Sequence, residues 1–590
     1  MSNAPLATLD DLGRLGRTVR HLRPGQVGQR IRLRAQRMAL DHSIPLASQW
    51  LLDSPSHPGG RTAGRAAVAG WPGGFTPLDA GLWDDGSTRT ALRGGTLPLI
   101  GACHLRVPRD HAGVPSWTCA DWELKGAPLL WRFHLYYWDW AWSLAGDQAE
   151  PPARPLFTKI WTSWHSSVAP GRGPAWHPYP AALRAWSFCG LYQPLVAGSS
   201  LAGPFLAELA TQAGFLRRNL ETDVGGNHLI KNLKALAGLG VFFADDALVR
   251  WALTRLEEQI RVQVLPDGGH YERAPAYHCQ VLADLIDVTG LLRAAGHPGS
   301  QALAAAIDAM RGWLGSVLAP SGDVPLLNDG FPVGRPLVAA IAAGPPPPGP
   351  LTVLPDTGLA RIASGGWQVL ADIGPPCPPE LPAHAHADSL SCVAYLDGEP
   401  LLIDSGTSTY APGAARDRER STAAHNTVEV DGRDSTEVWG AFRAGRRARV
   451  SAVLARDDGS AITVEAAHDG YRFLPGRPVH HRRWSVAGQE LRVEDTVTGQ
   501  GRHRLALRWH LPPGTGLRLT SGGAIATSTA GEVAVALTAS CGQLAVTAST
   551  APVGTGFGAT AAAPVLTCTL HHELPVRISS IWRRAEPHRS

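Results

Sequence analysis

The chain of 590 residues is marked first by what it lacks. No run of about 18 apolar residues is uninterrupted, which excludes a membrane-spanning helix of the usual kind. Residues 1–26 carry charges throughout and have no apolar core segment, so no secretory signal is read there. The expectation is a cytoplasmic protein unless another export route serves it. The eight cysteines (Cys103, Cys119, Cys189, Cys279, Cys377, Cys392, Cys541 and Cys568) are scattered without a Cys-x-x-Cys pair. In a chain this long they read as free thiols. Lysine is nearly missing: Lys125, Lys159, Lys231 and Lys234 are the only four, so arginine supplies about fifty of the 54 basic residues. The net charge is only +4, without a dense basic stripe, which gives no case for a nucleic-acid partner.

What is present is a globular composition, 44% hydrophobic and 18% charged, long enough for several domains. The arginine excess has two readings: compositional bias, or recognition of carboxylates, which guanidinium binds in two-pronged fashion.

The hydrophobic period changes along the chain. From about 125 to 320 it is helical, as in Leu229, Leu233, Leu236 and Gly240, or Leu248, Trp251, Leu256 and Ile260. Short Gly/Pro breaks at 266–269 and 296–299 predict antiparallel helical hairpins. After about 355 the period becomes two, with an Asp397-Gly398 hairpin signal and many short strands at near-regular spacing. Between them, GPPPPGP at 344–350 is stiff and extended. The expected architecture is an α+β multidomain chain. An N-terminal segment, 1–120, is partly helical and packs on an (α/α) toroid of hairpins at 121–343. A Pro-rich linker covers 344–354, and an antiparallel β-sandwich covers 355–590.

Three clusters carry chemistry. In His384-Ala-His386-Ala-Asp388 a strand would point both imidazoles to one face. With Asp404 and His425 nearby, two imidazoles and a carboxylate make a three-ligand zinc site, in which Asp388 and Asp404 compete for the third place. Gly225-Gly226-Asn227-His228 opens a helix: an ordinary helix start, or amide and imidazole donors at an anion-favouring N-terminus. Asp267 to His278 is a polar, aromatic connection containing Tyr271 and Tyr277. Asn, Tyr and His together suit β-elimination beside a uronate. Neutralising the carboxylate makes the C5 proton removable, a His or Tyr takes it, and a Tyr protonates the leaving oxygen. A hydrolase would need two opposed carboxyl groups, for which Asp223, Asp267 and Glu272 are the helical candidates.

These motifs resemble the heparinase II/III family. The likeness runs from WRFHLYYWDW (131–140), WHPYPAALRAWS (176–187), GGNHLIKNLKALAGLGVFF and DGGHYERAPAYHCQVL to the HAHAD…AHNTVEV stretch ending near 450. HLRPGQVGQRIRLR (21–34) is similar to shorter relatives associated with surface-polysaccharide loci. The resemblance implies a toroid plus sandwich and a lyase acting on an acidic polysaccharide, glycosaminoglycan-like or bacterial. It implies that Asn227 and His228 neutralise the carboxylate, that Tyr277 is catalytic, and that His384 is base or Tyr-orienting group. It implies a structural zinc (manganese or calcium being substitutes) on His386, Asp404 and His425, with Asp388 outside the ligand set. Trp176, Tyr179, Arg184, Trp186, Glu272 and Arg420 would bind substrate. Two departures stand out: Gly-Gly precedes the Asn-His pair, and Ser187 replaces an expected Asn. They imply a changed substrate or weak activity. The alternatives are a glycoside hydrolase on a similar toroid and a non-catalytic glycan-binding or exopolysaccharide-assembly protein. Oligomeric state is not defined by the sequence.

Overall fold

The computed structural model describes residues 9–53, 70–83, 86–146, 153–342 and 349–585. The helical half is built from amphipathic helices joined by short turns. Gly226–Phe242 and Asp246–Gln263 form a hairpin, with Asp245 capping the second by accepting from Leu248 N at 2.9 Å. Gly226–Phe242 also packs on Pro178–Leu191 and Pro275–Ala294, and the last of these on Gln301–Val317. Close approach is enforced at Gly238, where a Cβ would lie 2.8 Å from the Trp186 ring. One apolar core joins these helices and includes Trp131, Trp138, Trp164, Trp186 and Trp313.

The second half is antiparallel throughout. It contains an eight-stranded sheet, a four-stranded sheet and a five-stranded sheet. Their inward residues share a second core, including Trp367, Trp484, Trp509 and Trp582. The Asp-Gly hairpin is present: Cys392–Leu396 and Glu399–Leu402 are joined by Asp397 and Gly398, both at positive φ. The first strand of this half, Leu351–Leu354, falls inside the segment read as linker. Residues 343–348, the rest of the Pro tract up to Pro348, lie outside the described residues.

The His384–Asp388 segment differs from expectation. It is an irregular loop and not a strand, so alternation along a strand cannot be what aligns its histidines. Pro375, Pro376, Pro378, Pro379 and Pro382 precede it, removing ladder donors. The loop is pinned instead from the sides: His386 N donates to Asn328 Oδ1 (3.2 Å), and Ala387 N to Arg420 O (2.9 Å).

The first helices divide between the halves. Helix α3 (Pro45–Leu52) packs on the helix Ala202–Arg218. Helix α1 (Leu9–Val19) lies against the β half, where Arg17 Nε donates to Glu437 Oε2 at 2.7 Å and Trp439 Nε1 to Thr18 Oγ1 at 3.1 Å. Helix α2 (Pro24–Asp41) runs between them.

Candidate active site at the seam of the two halves

The helix Gly226–Phe242 starts from two glycines at positive φ, +71° and +58°. A Cβ on Gly226 would overlap the Glu272 carboxylate. The missing side chain lets Glu272 reach the helix start, where Oε1 accepts from Asn227 N at 2.7 Å. Free N–H groups and the helix dipole favour a carboxylate there. The Asn227 amide nitrogen donates to both Glu272 oxygens, at 3.2 and 3.0 Å. Tyr271 Oη accepts from Gly226 N at 2.9 Å. His228, the next residue, places Nδ1 2.9 Å from Glu221 Oε1, and His177 Nδ1 lies 3.6 Å from the same oxygen. Burial raises the Glu221 pKa, but the two imidazoles and Asn232 outweigh it and hold it at about 2. The His228 ring is 4.3 Å from that of Tyr179, which is 5.9 Å from Tyr137.

Tyr277 sits in the first turn of Pro275–Ala294, with its hydroxyl 2.6 Å from that of Tyr410 in the β half. Burial, then the neighbouring Tyr410, push the Tyr277 phenol well above its ordinary pKa. The His384 ring is 4.0 Å from the Tyr277 ring. Its Nδ1 is 2.8 Å from Asp329 Oδ2 and its Nε2 3.2 Å from Glu272 Oε2. Burial lowers the His384 pKa, but hydrogen bonds to Asp329 and Glu272 overcome it and raise it to about 9. Both ring nitrogens are therefore committed, and His384 bridges two carboxylates as a cation beside the Tyr277 ring. Glu272 is held at about 2, burial being outweighed by His384. Asp329 is fully buried and accepts both arms of Arg416, Thr407 Oγ1 (3.1 Å) and His386 Nε2 (2.8 Å). Against the cost of burial, Arg416 and the histidines keep it well below the ordinary range.

Thus Glu272 joins Asn227 to His384, whose ring lies against Tyr277, with His228 next to Asn227 and Tyr179 against His228. Glu272 is 2% exposed and holds Asn227 and His384, which leaves it in a positioning place and not on a substrate surface. Three other residues read as substrate-binding are in the helical core. Arg184 has no exposed surface; it donates to Ala175 O at 2.8 Å and packs against Trp164 and Trp176. Trp176 meets Phe215, and Trp186 meets Trp71 and the Lys234 ammonium. Arg420 is buried too, donating to the carbonyls of Ala385, Gly440 and Arg443. In each case the tryptophan or arginine that suggested sugar stacking serves packing or loop tethering. Ser187, at the second departure, is also buried.

Two of the three residues read as zinc ligands are in place. His386 Nδ1 and His425 Nε2 are buried without a hydrogen-bond partner, and their rings are 5.2 Å apart. Burial lowers the His386 pKa to about 4, leaving a neutral donor. The Asp404 carboxylate, however, faces the other side of His425, Oδ2 being 2.8 Å from Nδ1. Among the described residues no group of three or more His, Cys, Asp or Glu is assembled as a metal cluster. Asp388 is buried, with Oδ1 unpartnered, and its pKa is raised to about 6, by burial first.

Tyr410, Asp329, Arg416 and Glu221 were not singled out from the sequence. Tyr410 lies within the motif-bearing stretch, so its signal was present there. Asp329, in Leu-Asn-Asp-Gly, looks like any turn residue.

Family models match most of the chain: "Heparinase II/III N-terminus" over residues 157–342 and "Heparinase II/III-like, C-terminal" over 346–564. "FtsZ-localized protein C" of Caulobacter vibrioides is 26% identical over 404 residues, covering 64% of this chain and 69% of that protein. A heparinase III crystal structure matches with TM-score 0.72 at 15% identity, covering 87% of this chain and 86% of the other. The heparan sulfate lyase HepC from Pedobacter heparinus matches with TM-score 0.58 at 16% identity, over 86% of this chain and 84% of the other. These structural likenesses establish the toroid-plus-sandwich fold.

Proposed function

Since the chain belongs to the heparinase II/III-like family, we propose that it is a polysaccharide lyase that opens a uronic-acid-containing glycan by β-elimination. The observation that carries this reading is the Tyr277–Tyr410 hydroxyl pair, 2.6 Å apart, beside the cationic His384 and the Asn227–His228 turn. Asn227 and His228 receive the uronate carboxylate and stabilise the charge that develops when C5 loses its proton. Tyr277 acts as both acid and base: its hydroxyl proton passes to the leaving O4 while its oxygen takes the C5 proton, so the C5–H and C4–O bonds break, a C4–C5 double bond forms, and the Tyr277 hydroxyl is regenerated. Tyr410 holds the Tyr277 hydroxyl in place through their shared hydrogen bond, and His384 orients the Tyr277 ring. The hydrolase alternative is weakened because both Glu272 oxygens are tied to Asn227 and His384, and Asp267 Oδ2 is occupied by Asp356 N, Thr357 N and Thr357 Oγ1.

Screening heparan sulfate, hyaluronan, chondroitin, alginate and glucuronan for an unsaturated, ultraviolet-absorbing product tests this. Turnover that yields saturated ends instead would remove it.

A second reading, a glycan-binding protein without turnover, draws on a specific feature: the Asn227 amide and both His384 nitrogens are already bound to protein carboxylates. It is also consistent with the Caulobacter relative's name, which gives a location and not a reaction. Binding to a uronate without product would favour it.

The metal belongs to the same proposal. His386 Nδ1 and His425 Nε2 would be its donors, and Asp404, which sits on the Nδ1 side of His425 and not with the two free nitrogens, would hold that ring from behind. Bound there, zinc would tie the HAHAD loop to the sandwich and take no part in proton transfer.

A further inference from the structure

We propose that α2 and the turn into α3 form a docking face for an anionic lipid surface. Large apolar side chains are concentrated there on the outside. Leu46, Ile31 and Trp50, at 82%, 67% and 57%, are the most exposed large apolar side chains among the described residues. Val27, Ile31 and Met38 stand at positions that share one face of α2. Ile44 continues this apolar row past the helix end, because its N–H folds back onto Ala39 O at 3.0 Å. Leu46 opens the next helix.

Arginines flank the row. Residues 9–53 hold eight arginines, no lysine and four aspartates, and α2 has no acidic residue before Asp41. Arg32 and Arg34 are exposed and make no ion pair among the described residues. Arg30 only approaches Asp223, at 3.9 Å. The inner side of α2 is anchored separately, by buried Leu33 and Leu40 and by Gln26 Nε2 on Asp223 O. The outward face is thus not needed for packing. A scattered exposed Leu is ordinary, but a run of them on one short segment is not. Apolar side chains interleaved with guanidinium groups, with a tryptophan nearby, match the headgroup–acyl boundary of an anionic bilayer. Attachment is to the surface, since no described helix is long and apolar enough to cross a membrane.

Co-sedimentation of the full chain with vesicles tests this. At low salt the protein should pellet with phosphatidylglycerol-containing vesicles and stay in solution with pure phosphatidylcholine. Arg32→Ala with Arg34→Ala should weaken partition about 30-fold, taking about 1 kcal/mol for each arginine. Ile31→Glu with Leu46→Glu should abolish it, while circular dichroism and Tm stay as in the parent, because these side chains are exposed. The proposal is overturned if the parent ignores anionic vesicles at low salt. It is equally overturned if it binds neutral vesicles as well, or if the Ile31/Leu46 variant, shown to be folded, still pellets.

Discussion

The hydroxyls of Tyr277 and Tyr410 lie 2.6 Å apart, one carried by the helical half and the other by the β half. Any reaction at Tyr277 therefore depends on how the two halves are joined. Tyr277→Phe should reduce formation of unsaturated product at least about 100-fold, the usual scale for a positioned proton donor or acceptor. Stability should fall by only about 1 kcal/mol, since one hydrogen bond is lost. Product absorbance and a urea melt on the same sample separate the two. Activity within a few-fold of the parent would remove Tyr277 from the proton path.

Asp329→Asn should be far more damaging to folding than to any single contact. Its carboxylate compensates Arg416, which has no exposed side-chain surface, and His384, and also accepts from the neutral His386. Removing one partner of a buried ion pair costs about 3–5 kcal/mol. Chemical denaturation should show a loss in that range.

Gly226→Ala should disturb the site without touching a polar group. The backbone is left-handed there, and the new methyl would displace the Glu272 carboxylate. The strain alone costs about 1–2 kcal/mol. Loss of activity should exceed what the stability change explains, and Gly225→Ala, whose Cβ would come no nearer than 3.6 Å to the Tyr271 hydroxyl, should be milder at the site.

Acid should destabilise the protein in two stages. Burial lowers His270 to about 4 and His278 to about 3, from an ordinary 6.5. Between those values only the unfolded chain takes up the protons, so stability falls as pH drops below about 6.5. Glu221, held at about 2 against an ordinary 4.5, adds stability that is complete above 4.5 and disappears on the way to pH 2. That contribution is on the order of 3 kcal/mol. Urea melts from pH 7 to 3 should show both declines, and Glu221→Gln should flatten the lower one.

If zinc occupies the His386–His425 site, purified protein should carry about one equivalent by elemental analysis, and chelation should lower Tm. His425→Ala should abolish both the metal and the chelator effect. Equal Tm with and without chelator, in protein shown to contain metal, would place that metal elsewhere.

The change of period was legible because amphipathic helices and half-buried strands must each repeat with their own geometry. Leu229–Leu233–Leu236 and the Asp397-Gly398 hairpin are local events, so their sequence suffices. The convergence on Asp329 is not local. It joins a turn after the helices to a loop 55 residues later and an arginine 87 residues later, and none of these has a periodic neighbour pattern. Arg184 and Trp186 illustrate the opposite error: residue types suited to sugars are equally suited to a core when the helix turns them inward. The Gly-Gly departure had a cause that no motif reveals, since the missing side chain matters only through the carboxylate that fills its place.

The charges around Asp329 carry a consequence for synthesis. Glu272 and Asp329 leave the ribosome before His384 and Arg416 exist. Until the β half is made, Asp329 lacks Arg416 and both histidines, and Glu272 keeps only its donors from Asn227. A fragment ending near residue 342 should therefore leave Asp329 exposed to water, and its ion pairs form only when the later half docks. The cluster at the seam, Glu272 and Asp329 with His384 and Arg416, is thus complete only in the whole chain.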